Sequence, residues 1–176
     1  FTNLTQQVTV DGRSTLLRKS FAAEKAIRRA QVYVTGLGYY ELSCNGQRVG
    51  DRVLAPAKSN YRKWVLYDTY DLTAQLREGT NVLGLMLGNG WFNPYKKWWE
   101  DSWKTAPGPV LASCVFDGET YDATKELPGW DLPGATDAGW RPANVVEPPG
   151  GVLASHLMPP IKVIEHLQPI AVTNPK

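Results

Sequence analysis

Short alternating runs of apolar residues, separated by turn-forming residues, constrain the fold of this 176-residue chain most strongly. Alternation of apolar and polar residues is typical of strands with one buried face, and a run that is apolar on both faces is typical of a central strand. The runs that predict strands are 16–23, 29–54 (two or three strands), 63–73, 81–92, 108–118 and 161–172. Thirteen prolines and sixteen glycines lie at the breaks, and no long amphipathic helix is visible in the sequence. This pattern predicts an all-β sandwich with short helical turns.

Two of the breaks carry specific turn signals. Asn45-Gly46, flanked by strand residues, is typical of a type I′ hairpin turn, because both central positions of that turn require a positive φ. Further along the chain, Asp71 or Thr73 can cap a single helical turn that Gly79 ends. The first signal therefore predicts a hairpin, and the second predicts one helical turn between two strands.

Composition places the chain among ordinary globular proteins. It is 43% hydrophobic and 20% charged, and its net charge of +2 is too small to indicate nucleic acid by itself. No apolar run reaches the length of a transmembrane helix, and residues 1–10 show no signal-peptide pattern. We expect no membrane partner, and secreted, periplasmic and cytoplasmic locations all stay open. Because the chain begins with Phe1 and ends in "AVTNPK", we expect a domain cut from a longer protein.

Motifs for catalysis are absent from the sequence. It contains no G-x-S-x-G, no P-loop and no H-E-x-x-H, and His156 and His166 lack metal-ligand spacing. We interpret both histidines as surface or satisfied core residues. Cys44 and Cys114 each lie in a strand-like run, which favours two buried thiols over a disulfide. We therefore assign no catalytic residue.

Carboxylates near predicted turns are the remaining polar candidates. We interpret them, Asp68 and Asp71 included, as residues that hydrogen-bond their own backbone. The alternative is a calcium site built from Asp and Asn side chains and loop carbonyls, but no calcium-loop motif is present. The metal therefore stays unassigned, with calcium as an open alternative.

Residues 90–103, "GWFNPYKKWWEDSW", hold four of the seven tryptophans. A tryptophan face stacks on the C–H face of a sugar while neighbouring amides and carboxylates reach its hydroxyls, so this segment favours a carbohydrate-binding face. The alternative is that these tryptophans cap the core. The basic and aromatic stretches 61–64 and 95–99 suit single-stranded nucleic acid, but the small net charge and the acidic Glu100 and Asp101 argue against it. We expect a carbohydrate partner and no nucleic acid.

One long stretch resembles a known family in the order of its motifs. The VTGLGYYEL run, the NGQRVGD turn, the YDTYDLT strand and the LGNGWF end, all within residues 33–92, resemble the N-terminal β-sandwich domain of bacterial α-L-rhamnosidases. Three later segments fit the same family, namely 102–123, 128–143 and 158–176. The resemblance therefore covers nearly the whole chain from about Leu17 onward.

The sequence departs from the family pattern at one place. The tryptophan-rich loop of the family is usually followed by another strand pair, whereas here Trp99 and Trp103 are four residues apart. Either this member lacks the pair or the sequence omits it. The number of strands in this part of the domain therefore stays open.

The resemblance implies a jelly-roll, galactose-binding-like sandwich that is noncatalytic and recognises carbohydrate. In such enzymes a separate helical (α/α)6 barrel hydrolyses terminal α-L-rhamnose with inversion, so the parent chain is expected to be a glycoside hydrolase and this chain alone is not. The alternative is a purely structural domain that packs on that barrel and has no sugar affinity. The implied partners are rhamnose-containing carbohydrate and the rest of the rhamnosidase chain.

The same resemblance divides the chain into three parts. Residues 1–16 are a lead-in segment, and 17–147 form the β-sandwich. Residues 148–176 are a proline-rich extended segment that leads to a next domain. The proline-rich part is expected to lie across a sheet or to act as a linker.

The resemblance and the aromatic segment together indicate turn and loop residues as carbohydrate ligands. The predicted site comprises Asn45, Asp51, Asn89, Trp91, Asn93, Tyr95 and Trp98. Some related modules bind L-rhamnose with calcium, which keeps that ion open as a cofactor. Trp130, Asp131, Asp137 and Trp140 resemble a recurrent edge motif of such sandwiches, and we interpret them as structural.

Overall fold

The computed structural model describes residues 5–7, 15–88, 124, 126–168 and 170–171. The strands within these residues are β1 (Thr5–Gln7), β2 (Thr15–Ala23), β3 (Gln31–Val34), β4 (Tyr39–Cys44), β5 (Gln47–Arg48), β6 (Trp64–Asp71), β7 (Gly79–Gly88), β8 (Arg141–Pro142) and β9 (Val152–Ser155). The predicted strand at 108–118 lies outside the described residues.

The described strands form two sheets. The larger sheet has the order β5-β4-β7-β2-β1-β8, and every neighbouring pair in it is antiparallel. The smaller sheet has the order β3-β6-β9, in which β3 is antiparallel to β6 and β9 is parallel to it. Strand β7 lies inside the larger sheet between β4 and β2, as its two apolar faces predicted.

The hydrophobic core lies between the two sheets. Its buried members are Tyr40, Leu42, Cys44, Val49, Ala55 and Leu72. Alternate residues of β7 pack against them from the same sheet, and Val32, Val34 and Tyr70 pack against them from the smaller sheet. Side chains on alternate positions of a strand point to the same face, so both sheets bury one face each. The predicted all-β sandwich is confirmed.

The hairpin and the helical turn are both confirmed, but Gly79 does not end the helical turn, because it is the first residue of β7. Asn45 and Gly46 have φ values of 52° and 79°, as a type I′ hairpin between β4 and β5 requires. After β6, the amide of Leu76 donates to the carbonyl of Leu72 at 3.0 Å, which closes one helical turn. Asp71 Oδ1 caps this turn by accepting from the backbone amide of Thr73 at 2.8 Å.

The proline-rich segment contributes a strand that the sequence did not predict. Strand β9 lies inside the predicted segment 148–176 and pairs with β6 of the smaller sheet. The prediction of a strand at 161–172 is wrong for residues 161–168. Of these residues, Lys162 alone forms a β-bridge, and its partner is Arg52. Prolines at both ends of this stretch lack the amide that a sheet requires. The domain boundaries themselves stay predictions.

The segment that precedes β8 covers the outer face of the larger sheet. Trp130 and Trp140 stack with ring centroids 6.1 Å apart, and the guanidinium of buried Arg18 lies 5.5 Å from the Trp140 ring. Arg18 Nη2 also lies 3.7 Å from Asp137 Oδ1. Beneath them, Gly84 leaves no room for a side chain, because a Cβ there would lie 2.7 Å from Trp130. The structural interpretation of this motif is confirmed.

Candidate functional site

Two of the seven residues predicted to bind carbohydrate lie in the described part of the chain. Asn45 lies in the turn between β4 and β5, and Asp51 lies shortly after β5. The other five lie outside the described residues, and they are Asn89, Trp91, Asn93, Tyr95 and Trp98. The geometry of the site is therefore built from the two hairpin residues and the polar groups around them.

The side-chain amide of Asn45 holds the hairpin in place. Its Nδ2 donates to the Gln75 carbonyl and to Asn81 Oδ1, each at 2.9 Å, and its Oδ1 accepts from the Val82 amide at 2.9 Å. Both N–H groups of the amide are used, and the described residues fill only one of the two lone pairs of Oδ1. The geometry makes Asn45 a residue that joins the hairpin to β7.

Asn81 completes this network from β7, with its side chain fully buried. Its Oδ1 accepts from Asn45 and from the amide of Arg77 at 3.0 Å. Its Nδ2 donates to the carbonyls of Arg77 at 2.7 Å and Gly79 at 3.0 Å. All four hydrogen-bonding positions of the amide are filled, which is how a polar side chain is accommodated in the interior.

Asp51 is exposed and paired with the C-terminal segment. Lys162 Nζ donates to Asp51 Oδ2 at 2.6 Å, and this hydrogen bond lowers the pKa of the Asp51 carboxyl below its ordinary value. The two side chains are 67% and 46% exposed, so the pair contributes little to stability. A sugar hydroxyl that approached Asp51 would compete with Lys162 for this carboxylate.

A buried polar cluster, formed by Tyr40, Arg52, Asp68, Tyr70 and His156, lies between the two sheets and the C-terminal segment. The Asp68 carboxylate, 1% exposed, accepts from Tyr40 Oη at 2.5 Å and pairs with Arg52 and with His156 Nδ1, the latter at 2.8 Å. Tyr40 and Tyr70 hydroxyls lie 3.2 Å apart, and the Arg52 guanidinium lies 5.7 Å from the Tyr70 ring. The interpretation of His156 as a core residue is confirmed by its burial and this bond, but the residue is only half satisfied, because its buried Nε2 has no hydrogen-bond partner among the described residues.

Burial decides the protonation of the two tyrosines in this cluster. Burial, and then the hydrogen bonds with Asp68 and Tyr70, raise the pKa of Tyr40 far above its ordinary value. Burial likewise raises the pKa of Tyr70. Tyr40 therefore remains a donor to Asp68 at neutral pH. Because solvent hardly reaches the Asp68 carboxylate, the cluster is suited to joining segments of the chain rather than to meeting a substrate.

The interpretation of Asp68 as a turn residue is wrong. Asp68 lies within β6, and the alternation through Leu66, Asp68 and Tyr70 places it on the inward face of the strand. That alternation was the signal that could have identified it as buried. The same interpretation is confirmed for Asp71, whose carboxylate accepts from the Thr73 amide.

An apolar cleft opens between β2 and β3. It has a volume of about 360 Å³, and its walls include Phe21, Val32, Leu72 and Leu83. Sugar recognition needs polar groups beside the apolar surface, and among the described residues this cleft has only two polar side chains, Gln31 and Tyr33. We interpret the cleft as the open end of the hydrophobic core.

Cysteine and metal chemistry add no site to the described residues. Cys44 is a free and fully buried thiol, and burial raises its pKa, while Cys114 lies outside the described residues. Within the described ranges, no group of three or more His, Cys, Asp or Glu side chains is placed to hold a metal ion.

Across the part of the chain that the structure describes, no helix has the length and apolarity needed to cross a bilayer.

Comparison with known proteins identifies relatives over most of the chain. The family model described as the α-L-rhamnosidase N-terminal domain matches residues 25–102 and 98–165. The two matches meet near Trp99 and Trp103, where the sequence departs from the family pattern. A curated α-L-rhamnosidase from Formosa agariphila is 33% identical over an alignment of 199 residues, which covers 93% of this chain and 21% of that protein.

Solved structures give the same result. An α-L-rhamnosidase from Dictyoglumus thermophilum superposes with a TM-score of 0.73 at 37% identity, over 90% of this chain and 21% of that one. The Streptomyces avermitilis α-L-rhamnosidase, solved in complex with L-rhamnose, superposes with a TM-score of 0.73 at 29% identity, over 87% and 18% of the two chains. This chain therefore spans about a fifth of the length of the relatives it matches.

Proposed function

This chain belongs to the α-L-rhamnosidase N-terminal domain family, and we propose that it serves such an enzyme as a noncatalytic structural domain. In this role it holds the chain that follows it in a fixed orientation. Hydrolysis of terminal α-L-rhamnose, in this proposal, is carried out by another part of the enzyme.

The observation that carries this proposal is the bond between His156 and Asp68. It anchors the C-terminal segment at a buried point of the smaller sheet, 88 residues away in the chain. Strand β9 adds backbone bonds, from the Val152 amide to the Lys63 carbonyl at 3.0 Å and from the His156 amide to the Tyr67 carbonyl at 2.9 Å. A segment held at buried and backbone contacts transmits a defined direction to whatever follows it, unlike a flexible linker.

The direct test uses the full-length rhamnosidase that carries this domain. Deletion of residues 1–147 should lower the melting temperature of the remaining domains and reduce kcat/KM for p-nitrophenyl α-L-rhamnoside. The isolated 176-residue chain should show no rhamnoside hydrolysis. Unchanged melting temperature and unchanged kcat/KM in the deletion variant would refute the structural role.

Carbohydrate recognition is the second candidate function, favoured by the aromatic density of residues 90–103 directly after β7. Its proposed ligands are Asn45, Asp51, Asn89, Trp91, Asn93, Tyr95 and Trp98. The described geometry leaves Asn45 with one open lone pair and Asp51 shared with Lys162. The proposed ligand is rhamnose-containing carbohydrate, with calcium as an open cofactor.

A tryptophan-fluorescence titration with L-rhamnose, first in calcium and then in EDTA, tests this second candidate. A saturable change that Trp91→Ala abolishes and Trp64→Ala retains would support it, because Trp64 is a half-exposed tryptophan on the smaller sheet. If the fluorescence change is lost in EDTA, sugar binding requires calcium. No change in either buffer would contradict carbohydrate recognition and favour the structural role.

A further inference from the structure

The stretch 157–164, "LMPPIKVI", exposes apolar side chains to an unusual degree. The five that we call the apolar tail surface are Leu157 (88% exposed), Met158 (49%), Ile161 (58%), Val163 (52%) and Ile164 (97%). Scattered exposed apolar residues are normal, whereas a run of them close together in the chain indicates an interaction surface.

The charge in this stretch is already neutralised. Lys162 is its one charged residue, and its Nζ is bonded to Asp51 at 2.6 Å. The remaining two residues are Pro159 and Pro160, which lack backbone N–H donors. The stretch therefore presents mostly hydrocarbon, with few groups that need water.

The apolar tail surface is also fixed on the sandwich. The amide of Val53 donates to the carbonyl of Ile161 at 2.9 Å, and Lys162 forms a β-bridge with Arg52. At the start of the stretch, His156 is bonded to Asp68. A surface that is already ordered loses less conformational entropy on binding, so it can dock a partner at a lower cost.

We propose that the apolar tail surface docks against an apolar face of the remaining rhamnosidase chain, which deepens and rests on the structural role proposed above. The relatives contain about five times as much chain as is matched here, so most of the enzyme lies outside this domain. A partner in the same chain is present at a high effective concentration. A small apolar surface is therefore sufficient for docking within a chain, whereas a separate second copy would need an interface of about 800 Å² per partner.

Methionine oxidation by hydroxyl radicals tests this proposal, because the chain contains a matched pair of methionines. Met158 lies on the apolar tail surface, and Met86 lies on β7 with a similar exposure, 37% against 49%. In the full-length rhamnosidase the oxidation rate of Met158 should fall on the order of fivefold relative to the isolated 176-residue chain, while that of Met86 stays the same. Equal oxidation of Met158 in both proteins would overturn the proposal.

Two further outcomes would also overturn it. Protection of Met158 that appears in the isolated chain as its concentration rises would identify a second copy as the occupant. Equal protection of both methionines in the full-length enzyme would show a general effect of the longer chain. The deletion of residues 1–147 tests the structural role separately. If the deletion variant is destabilised while Met158 of the full-length enzyme is not protected, the docking surface is refuted and the structural role stands.

A double substitution gives an independent check. Leu157→Asn with Ile164→Asn in the full-length enzyme should lower its melting temperature, because docking would bury polar groups without partners. The same pair should leave the melting temperature of the isolated chain unchanged, since both side chains are almost fully exposed there. An unchanged melting temperature in the full-length enzyme would contradict docking.

Discussion

The imidazole of His156 contacts the carboxylate of Asp68 directly, with Nδ1 2.8 Å from Oδ1, although the two residues are 88 positions apart. Asp68 is buried in the smaller sheet, and His156 follows the strand that pairs with it. A buried carboxylate must stay paired, because an uncompensated charge in the interior is costly. Residues 152–156 of the C-terminal segment are therefore built into the smaller sheet and its buried polar cluster.

Replacing His156 should destabilise the domain. His156→Ala removes one partner of Asp68, while Arg52 and Tyr40 remain, so we expect a loss of about 2 kcal/mol in the free energy of unfolding, measured by urea denaturation. His166→Ala is the matched control, because this histidine is exposed; its effect should stay within about 0.5 kcal/mol. Equal effects of the two substitutions would contradict the role of the bond.

The Asn45–Asn81 pair should be essential for stability. Asn81→Ala removes a buried amide that fills four hydrogen bonds and leaves the partner groups unsatisfied, so we expect a loss of about 2–4 kcal/mol in the free energy of unfolding. Asn144→Ala, at an exposed position, serves as the control. A loss below about 1 kcal/mol for Asn81→Ala would show that water replaces these bonds.

A methyl group at Gly84 should disturb the outer cover of the larger sheet. In Gly84→Ala the new Cβ would lie 2.7 Å from Trp130 and 2.8 Å from Asp131, so the covering segment must shift, at a cost of about 1–3 kcal/mol. The fluorescence spectrum should report the movement of Trp130. Gly88→Ala is the control on the same strand, because among the described residues its Cβ would meet only Tyr39, at an ordinary 3.6 Å. Matching stabilities of the two variants would argue against this tight contact.

The stability of the domain should fall in alkaline solution. Burial raises the pKa of Tyr61 to about 12, whereas an unfolded tyrosine titrates near 10. Above pH 10 the unfolded chain therefore binds fewer protons than the folded one, and the free energy of unfolding decreases as pH rises towards 12. Tyr61→Phe should make this decrease smaller, as measured by urea denaturation at several pH values.

The comparison of the two proteins at lower pH is the control for this prediction. Between pH 7 and 9 neither state ionises Tyr61, so the two proteins should differ by a constant free energy. Parallel curves up to pH 12 would mean that Tyr61 is not responsible for the alkaline loss.

Local signals in the sequence were sufficient for much of the fold. The Asn45-Gly46 hairpin and the Asp71-capped turn follow from backbone requirements that involve only neighbouring residues. The central position of β7 follows from its two apolar faces. The ordered family motifs indicated the rhamnosidase domain, which the family match confirms.

The predicted carbohydrate site shows which contacts local sequence signals do not predict. The turn motif predicts that Asn45 is available to a ligand, but its donors are used by Gln75 and Asn81, about thirty or more positions away. The same holds for Asp51, whose partner Lys162 comes from the C-terminal segment. A turn motif contains no information about which distant side chain will meet it.

The sequence alone determined the strand-rich class, the hairpin and the family, because periodicity and turn chemistry act over a few residues. Tertiary structure alone decided that Asp68 pairs with His156 and Arg52, and that the proline-rich segment forms β9. These contacts join segments that are far apart in the chain, and their formation depends on the free energy of burying charge and apolar surface in the completed sandwich.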